Sequence, residues 1–195
     1  MFSAIVFFAH TNWTFPRGGP LEVLLATTYA LVVLSGLFGI ILSRTLPARL
    51  ARRGEAVIFE RIVRLQYEIK AQVEILVQKS LAETGSTTIA DFFQRRLLLF
   101  LNGPRHIPQH LIESRAPLHA MQLEIKGLDR YLDDKERIIM QDINQLIEAK
   151  DNLDYQYAGH KLLKGWLFVH IPLTYAMLLF MLVHVITVYA FIRGV

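Results

Sequence analysis

Two histidines, His170 and His184, stand fourteen positions apart in a stretch, Gly165 to Ile192, that contains no Asp, Glu, Lys or Arg. At about 100° and about 1.5 Å per residue, that spacing sets two side chains roughly 40° apart around a helix axis and about 21 Å apart along it. One helix would then carry two imidazoles on nearly one face at two depths. A neutral imidazole offers either a lone pair to a metal or a hydrogen bond to a neighbouring helix. The stretch is 28 residues long, and roughly 20 suffice to cross a bilayer. An ionisable ring is costly inside such a segment unless something engages it, so both histidines are candidate functional residues.

The other histidines are placed differently. His10 ends the apolar opening MFSAIVFFA. His160 lies ten positions before His170 and reads as interfacial. His106, His110 and His119, at spacings of 4 and 9, do not suit a metal site and are expected on a solvated surface. Met177, seven positions from each of the paired histidines, is read as packing. Asp133, Asp134 and Glu136 surround Lys135 in an acidic cluster, expected to be a solvated face, with docking of a basic redox partner as the sharper reading. The chain has no cysteine, which excludes disulfides, thiolate metal sites and a Cys nucleophile. No glycine-rich phosphate loop, G-x-S-x-G or H-E-x-x-H occurs.

The elements that would hold these residues follow from segregation of charge. The chain is 53% hydrophobic yet has 38 charged side chains, 21 basic and 17 acidic, so polar and apolar residues must be separated. Val23 to Ser43 is a first full span of 21 residues without a charge. Within it Ser35 and Gly39 form a small-xxx-small pair with Gly36 beside it; such residues admit a second helix or a flat ligand close to the backbone. Met1 to Ala9 reads like the last half of a membrane helix, or a short interfacial segment, followed by the turn TNWTFPRGGP. Residues 44–164 hold 19 of the basic and 16 of the acidic side chains. Arg44, Arg49, Arg52 and Arg53 follow the first span, and Lys161 and Lys164 precede the last. The positive-inside rule therefore puts residues 44–164 in the cytoplasm and both termini outside an inner (cytoplasmic) membrane. The basic excess hugs the ends of the apolar runs, which argues against nucleic acid as a partner.

The polar segment is helical in period. Ile58, Ile62, Leu65, Ile69, Val73 and Leu76 recur at steps of three and four, as do Met121, Ile125, Leu128 and Leu132, and then Ile139, Ile143 and Leu146. A shorter helix begins at Thr88, which with Asp91 makes a capping-box pattern, and stops at Asn102-Gly103-Pro104. A second long helix is expected from about Pro117 towards the last span, interrupted only by Gly127, Gly159 and Gly165. Pro172 is expected to bend the last span beside His170. The fold class is all-α. It comprises a short N-terminal segment and turn (1–20), a span (21–43), an inserted cytoplasmic domain of antiparallel helices (44–164) and a second span (165–193).

The helix WLFVHIPLTYAMLLFMLVHVITVYAF resembles the His-x13-His helix of diheme b-type cytochromes of respiratory and photosynthetic membranes. In that family each histidine holds the iron of a separate haem b. The resemblance covers this helix closely and the first span loosely. It implies His170 and His184 as axial ligands of one or two haem b groups, in an electron-transfer subunit rather than a stand-alone catalyst. Haem iron with two axial imidazoles has no open site and passes electrons only. The chain departs from the pattern because two spans supply one histidine per haem. On the expected topology His10 faces His184 across the outer haem. The partner of His170 would come from an absent half-helix about fourteen residues before His10, or from another subunit. The implied partners are further membrane subunits, a cytoplasmic or peripheral redox subunit and a quinone. The competing expectation is a haem-free scaffold or signalling subunit with a cytoplasmic coiled coil.

Overall fold

A computed structural model of the chain describes Ala9, residues 19–52 and residues 57–192. His10, the rest of the opening segment, residues 11–18 of the turn after it and Arg53 lie outside the described residues, so the expected pairing of His10 with His184 does too. The described residues are helical and include no strand. In chain order they form α1 (Pro20–Ala51), α2 (Phe59–Thr84), α3 (Thr88–Phe92), a π-helical turn (Phe93–Leu97), α4 (Leu98–Leu101), α5 (Ile107–Leu111), α6 (Ala116–Leu128), a 3-10 turn (Asp129–Tyr131) and α7 (Asp134–Ile192). The chain divides into two compact units, residues 1–45 with 163–195, and residues 46–162.

The first unit is an apolar helix pair, and both of its helices are long and apolar enough to cross a membrane. Most of its large side chains point away from protein: Leu34, Ile41, Phe168, Tyr175 and Phe191 are all exposed. Its described threonines hide their hydroxyls locally. Thr27, Thr28, Thr45, Thr174 and Thr187 each donate to the carbonyl four residues earlier, at 2.7–2.8 Å. This satisfies a polar group without help from solvent. The last helix continues through Pro172, which removes one backbone N–H.

The second unit is built around the side of α2 that carries Ile62, Gln66, Ile69, Val73, Val77 and Ser80. Of the predicted stripe Ile62, Ile69 and Val73 are buried, Leu65 and Leu76 are partly buried against the same core, and Ile58, just ahead of the helix, is exposed. Against it lie Ile139, Met140, Ile143, Ile147 and Leu153 of α7, and Phe92, Phe93, Leu97, Phe100 and Leu101 of the short helices. The start of α2 meets α7 late in the unit: Phe59 stacks on Tyr157 and Gln66 reaches Asp154. The rest of the shared core lies earlier on α7, so the two helices run antiparallel. α2 ends at Gly85, whose φ of 67° lets its N–H cap the carbonyl of Leu81. In the same unit the last turns of α1 pack on α7, with Leu46 and Leu50 buried against Gly159, where a Cβ would come within 3.0 Å of Leu50.

Three expectations change. The second long helix does not start at Pro117: α6 ends at Leu128, and Leu132 reaches the core from an extended backbone. The acidic cluster is solvated at Asp133 and Asp134, as expected, but it is also a helix start that buries its third carboxylate. Glu136 is buried, its N–H donates to Asp133 Oδ1 at 2.7 Å, and its Oε2 accepts the Asp133 N–H at 3.1 Å. That reciprocal pair is a capping box for α7. The box expected at Thr88 does not form. Thr87 precedes the helix instead, and the Thr88 N–H meets Ser86 Oγ at 3.3 Å.

Candidate functional site

In the apolar unit the geometry is set by Trp166, one turn before His170. Its indole lies over Gly39 of α1 so closely that any Cβ at that position would overlap the ring. Only glycine leaves that seat open. The indole N–H then donates to the Ser35 carbonyl at 2.9 Å, and its face stacks on the His170 imidazole with centroids 5.1 Å apart and planes 20° apart. Of the two readings of the small-residue pair, helix packing is what Ser35 and Gly39 perform here.

His170 is half-buried, and its Nδ1 lies 3.1 Å from Ser35 Oγ. Gly36 is in ordinary contact with the ring: a Cβ there would sit 3.8 Å from Cε1. When Nδ1–H donates to the serine, Nε2 keeps its lone pair. Among the described residues Nε2 makes no hydrogen bond. An imidazole anchored through one nitrogen with the other available is the arrangement in which histidine binds a metal, the outer hydrogen bond fixing tautomer and ring direction. His184 is half-buried further along α7, as is Met177. The described residues of this unit contain no other histidine, so they supply one imidazole at each depth. No group of three metal-ligating side chains converges among the described residues.

The remaining histidines belong to the polar unit. His160 packs edge-on against Phe59, centroids 6.0 Å apart. His106 and His119 are exposed as expected, but His110 is not. It is buried, with Nε2 3.8 Å from Asp151 Oδ1 and its ring against Tyr155.

His110 borders a buried polar cluster that the sequence reading did not single out. Lys150 and Asp154, one turn apart on α7, are fully buried and 2.5 Å apart. The Lys150 ammonium also donates to the Gly103 carbonyl at 2.9 Å and lies 4.5 Å from the centre of the Phe100 ring. Asp154 accepts from Gln66 Nε2 at 2.7 Å and from the Arg105 N–H at 3.2 Å. Burial pushes the Asp154 carboxyl up to about 6, opposed by the neighbouring ammonium. Burial likewise pushes Lys150 down, again opposed by its partner. A charged pair in carbon surroundings is tolerated when every donor and lone pair is used, and this pair ties α2, α7 and the loop after α4 together.

The signal for the cluster was present. The stripe Ile139, Ile143, Ile147 continues at steps of three and four onto Lys150, Asp154 and Ala158. Polar residues at core positions of an unbroken helical period must find partners inside. For the Trp166 site the signal was weaker, an aromatic ring and glycines on two separate apolar segments. No family model, curated protein or solved structure matches the chain.

Proposed function

We propose that the chain is a haem b-binding subunit of an inner-membrane redox complex, carrying electrons from one face of the membrane to the other. The observation that carries this reading is His170, anchored to Ser35 through Nδ1 with Nε2 left to bind. It is supported by a second histidine fourteen positions along the same charge-free helix. The residues present fit the group in part, since each depth has one imidazole. The second ligands are assigned to His10, for the site of His184, and to other membrane subunits. Bound there, haem b would supply a one-electron couple. The chain's own residues do the rest: Ser35 fixes the imidazole tautomer, Trp166 holds the ring's face, and the surrounding aliphatic side chains exclude water. In this reading residues 44–164 are cytoplasmic and dock a soluble or peripheral redox subunit, and a quinone is a further partner.

The second reading, a haem-free scaffold, is favoured by the same contact seen differently. A histidine bonded to serine on a neighbouring helix is an adhesive interaction in its own right. The purified native complex separates the two. The cytochrome reading expects a Soret band that shifts on dithionite reduction, and loss of one haem's absorbance in each of His170→Ala and His184→Ala. A complex that assembles without such a band, or whose spectrum is untouched by both substitutions, leaves only the scaffold.

A further inference from the structure

Beside the buried pair the polar unit has an open basic pocket of about 260 Å³ between the π-helical turn, the loop after α4 and one face of α6. Arg95, Arg96, Arg105 and His106 line it, over a floor that includes Phe100 and Met121. Arg96 is held by Glu124, which accepts from Nε at 2.6 Å and from Nη2. That carboxylate is the one acidic group among the pocket's lining residues, and it engages only Nε and Nη2 of Arg96. Arg95 and Arg105 are exposed and form no ion pair among the described residues.

The loop that presents Arg105 and His106 is fixed from behind. Lys150 binds the Gly103 carbonyl and Asp154 binds the Arg105 N–H. Gly103 and His106 both have positive φ, 73° and 55°. That setting costs free energy in a residue with a side chain, and it persists only where surrounding contacts impose it. The buried cluster thus has a use that its own chemistry does not disclose: it holds a strained basic loop in place over a cavity.

We propose that this pocket binds a phosphate monoester or pyrophosphate group. Two arginines without counter-charges match a group that carries roughly −1.5 to −2 at neutral pH. Guanidinium forks suit the geometry of phosphoryl oxygens. The volume is below the range of about 300–1,000 Å³ usual for drug-sized ligands, which suits a head group with its ester carbon on Phe100 and Met121. A soluble ester and the head group of an anionic phospholipid share this chemistry. The proposal stands whether or not the histidines bind haem.

The test is calorimetric titration of the full-length chain in neutral detergent with inorganic pyrophosphate and, separately, with dihexanoyl phosphatidic acid. Saturable binding of pyrophosphate supports a soluble ester, and binding of the short-chain lipid alone supports a head group. The double variant Arg95→Gln/Arg105→Gln is expected to bind roughly tenfold or more weakly. Ala120→Glu, on the exposed face of α6 that lines the pocket, keeps helix propensity and should abolish binding by adding a carboxylate. Arg64→Gln, whose side chain pairs with Glu68 elsewhere on the unit, should leave affinity unchanged. Absence of saturable binding of either probe overturns the proposal. So does affinity that survives Ala120→Glu, or falls as far in Arg64→Gln as in the double variant.

Discussion

Up to Leu162, α7 turns Lys150, Asp151 and Asp154 into a core of aromatic and aliphatic carbon. Beyond it, the same helix leaves Phe168, Val169, Tyr175 and Tyr189 exposed, and none of its most apolar 18-residue window is buried within the chain. Each region inverts the usual arrangement of a water-soluble helix. In the polar unit, Lys150 and Asp154 are kept inside because each bonds to the other and to donors or acceptors from α2 and the loop after α4. In the apolar unit, carbon is left outside because no described residue covers it. The first region is specified by its own contacts. Among the described residues the second is fixed by Trp166 on Gly39 and Ser35 and by His170 against Ser35 and Gly36.

The sharpest way to break that contrast is to strip the buried pair. Lys150→Ala leaves the Asp154 carboxylate without its ammonium, and stability should fall by about 3–5 kcal/mol. Replacing both, Lys150→Met with Asp154→Leu, should recover most of the loss, since well-packed carbon substitutes for a buried ion pair. The measurement is the thermal midpoint of the full chain in detergent, followed by circular dichroism. If the single variant melts like wild type, the pair is not buried as described. The same pair has a pH signature. Asp154 has a folded value of about 6, above the ordinary carboxyl value, so the folded state binds the proton more tightly than the unfolded. Its contribution to stability is therefore greatest at low pH and lost as pH rises from about 4 to 6, on the order of 3 kcal/mol. Relative to Asp154→Asn, wild type should lose stability across that window and change little through Asp154 above it.

What could be read from residues alone follows the same division. The charge-free runs located both long apolar helices, and apolar periodicity located Ile62, Ile69 and Val73 of α2 and Ile139 and Ile143 of α7, because burial of carbon repeats with the helix. It failed where a side chain's fate depends on a partner distant in sequence. His110 lies 41 positions from Asp151, and nothing near it marks it as buried. Leu132 keeps the period of Met121, Ile125 and Leu128 although the backbone between is no longer α-helical. A stripe reports which residues face the core, not what the chain does between them. The capping box at Asp133 and Glu136 was legible by spacing, but the cluster's three carboxylates drew attention to charge instead of to the free N–H groups at a helix start. The placement of His170 and His184 on one long apolar helix was legible. Ser35 as the partner of His170 was not, because it depends on how two helices 135 positions apart face each other.

A smaller effect probes the seat itself. Gly39→Ala puts a methyl group into the Trp166 ring, and overpacking of this kind should cost about 1–3 kcal/mol. Gly165, only one residue from that tryptophan, has open space around its missing side chain. There the same substitution should be harmless or raise stability by roughly 0.5–1 kcal/mol through helix propensity. Adding Trp166→Leu to Gly39→Ala should destabilise by less than the sum of the two single changes, with a coupling of about 0.5–3 kcal/mol. Additive losses would mean that the two residues do not touch.

The smallest change carries the most information about function. Ser35→Ala removes the hydroxyl facing His170 but keeps the backbone carbonyl that accepts the Trp166 N–H. The lost hydrogen bond should cost about 0.5–1.5 kcal/mol, a small shift in thermal midpoint that Ser35→Thr should restore. If His170 is only an adhesive between helices, the effect ends there. If it ligates iron, Nδ1–H loses the acceptor that sets the imidazole's basicity and direction. The redox midpoint of one haem should then move while the other, near His184, stays where it was. A shift in one of two potentials, reversed by threonine but not by Ser35→Cys, which keeps the size and weakens the acceptor, ties the potential to the hydroxyl and not to packing alone.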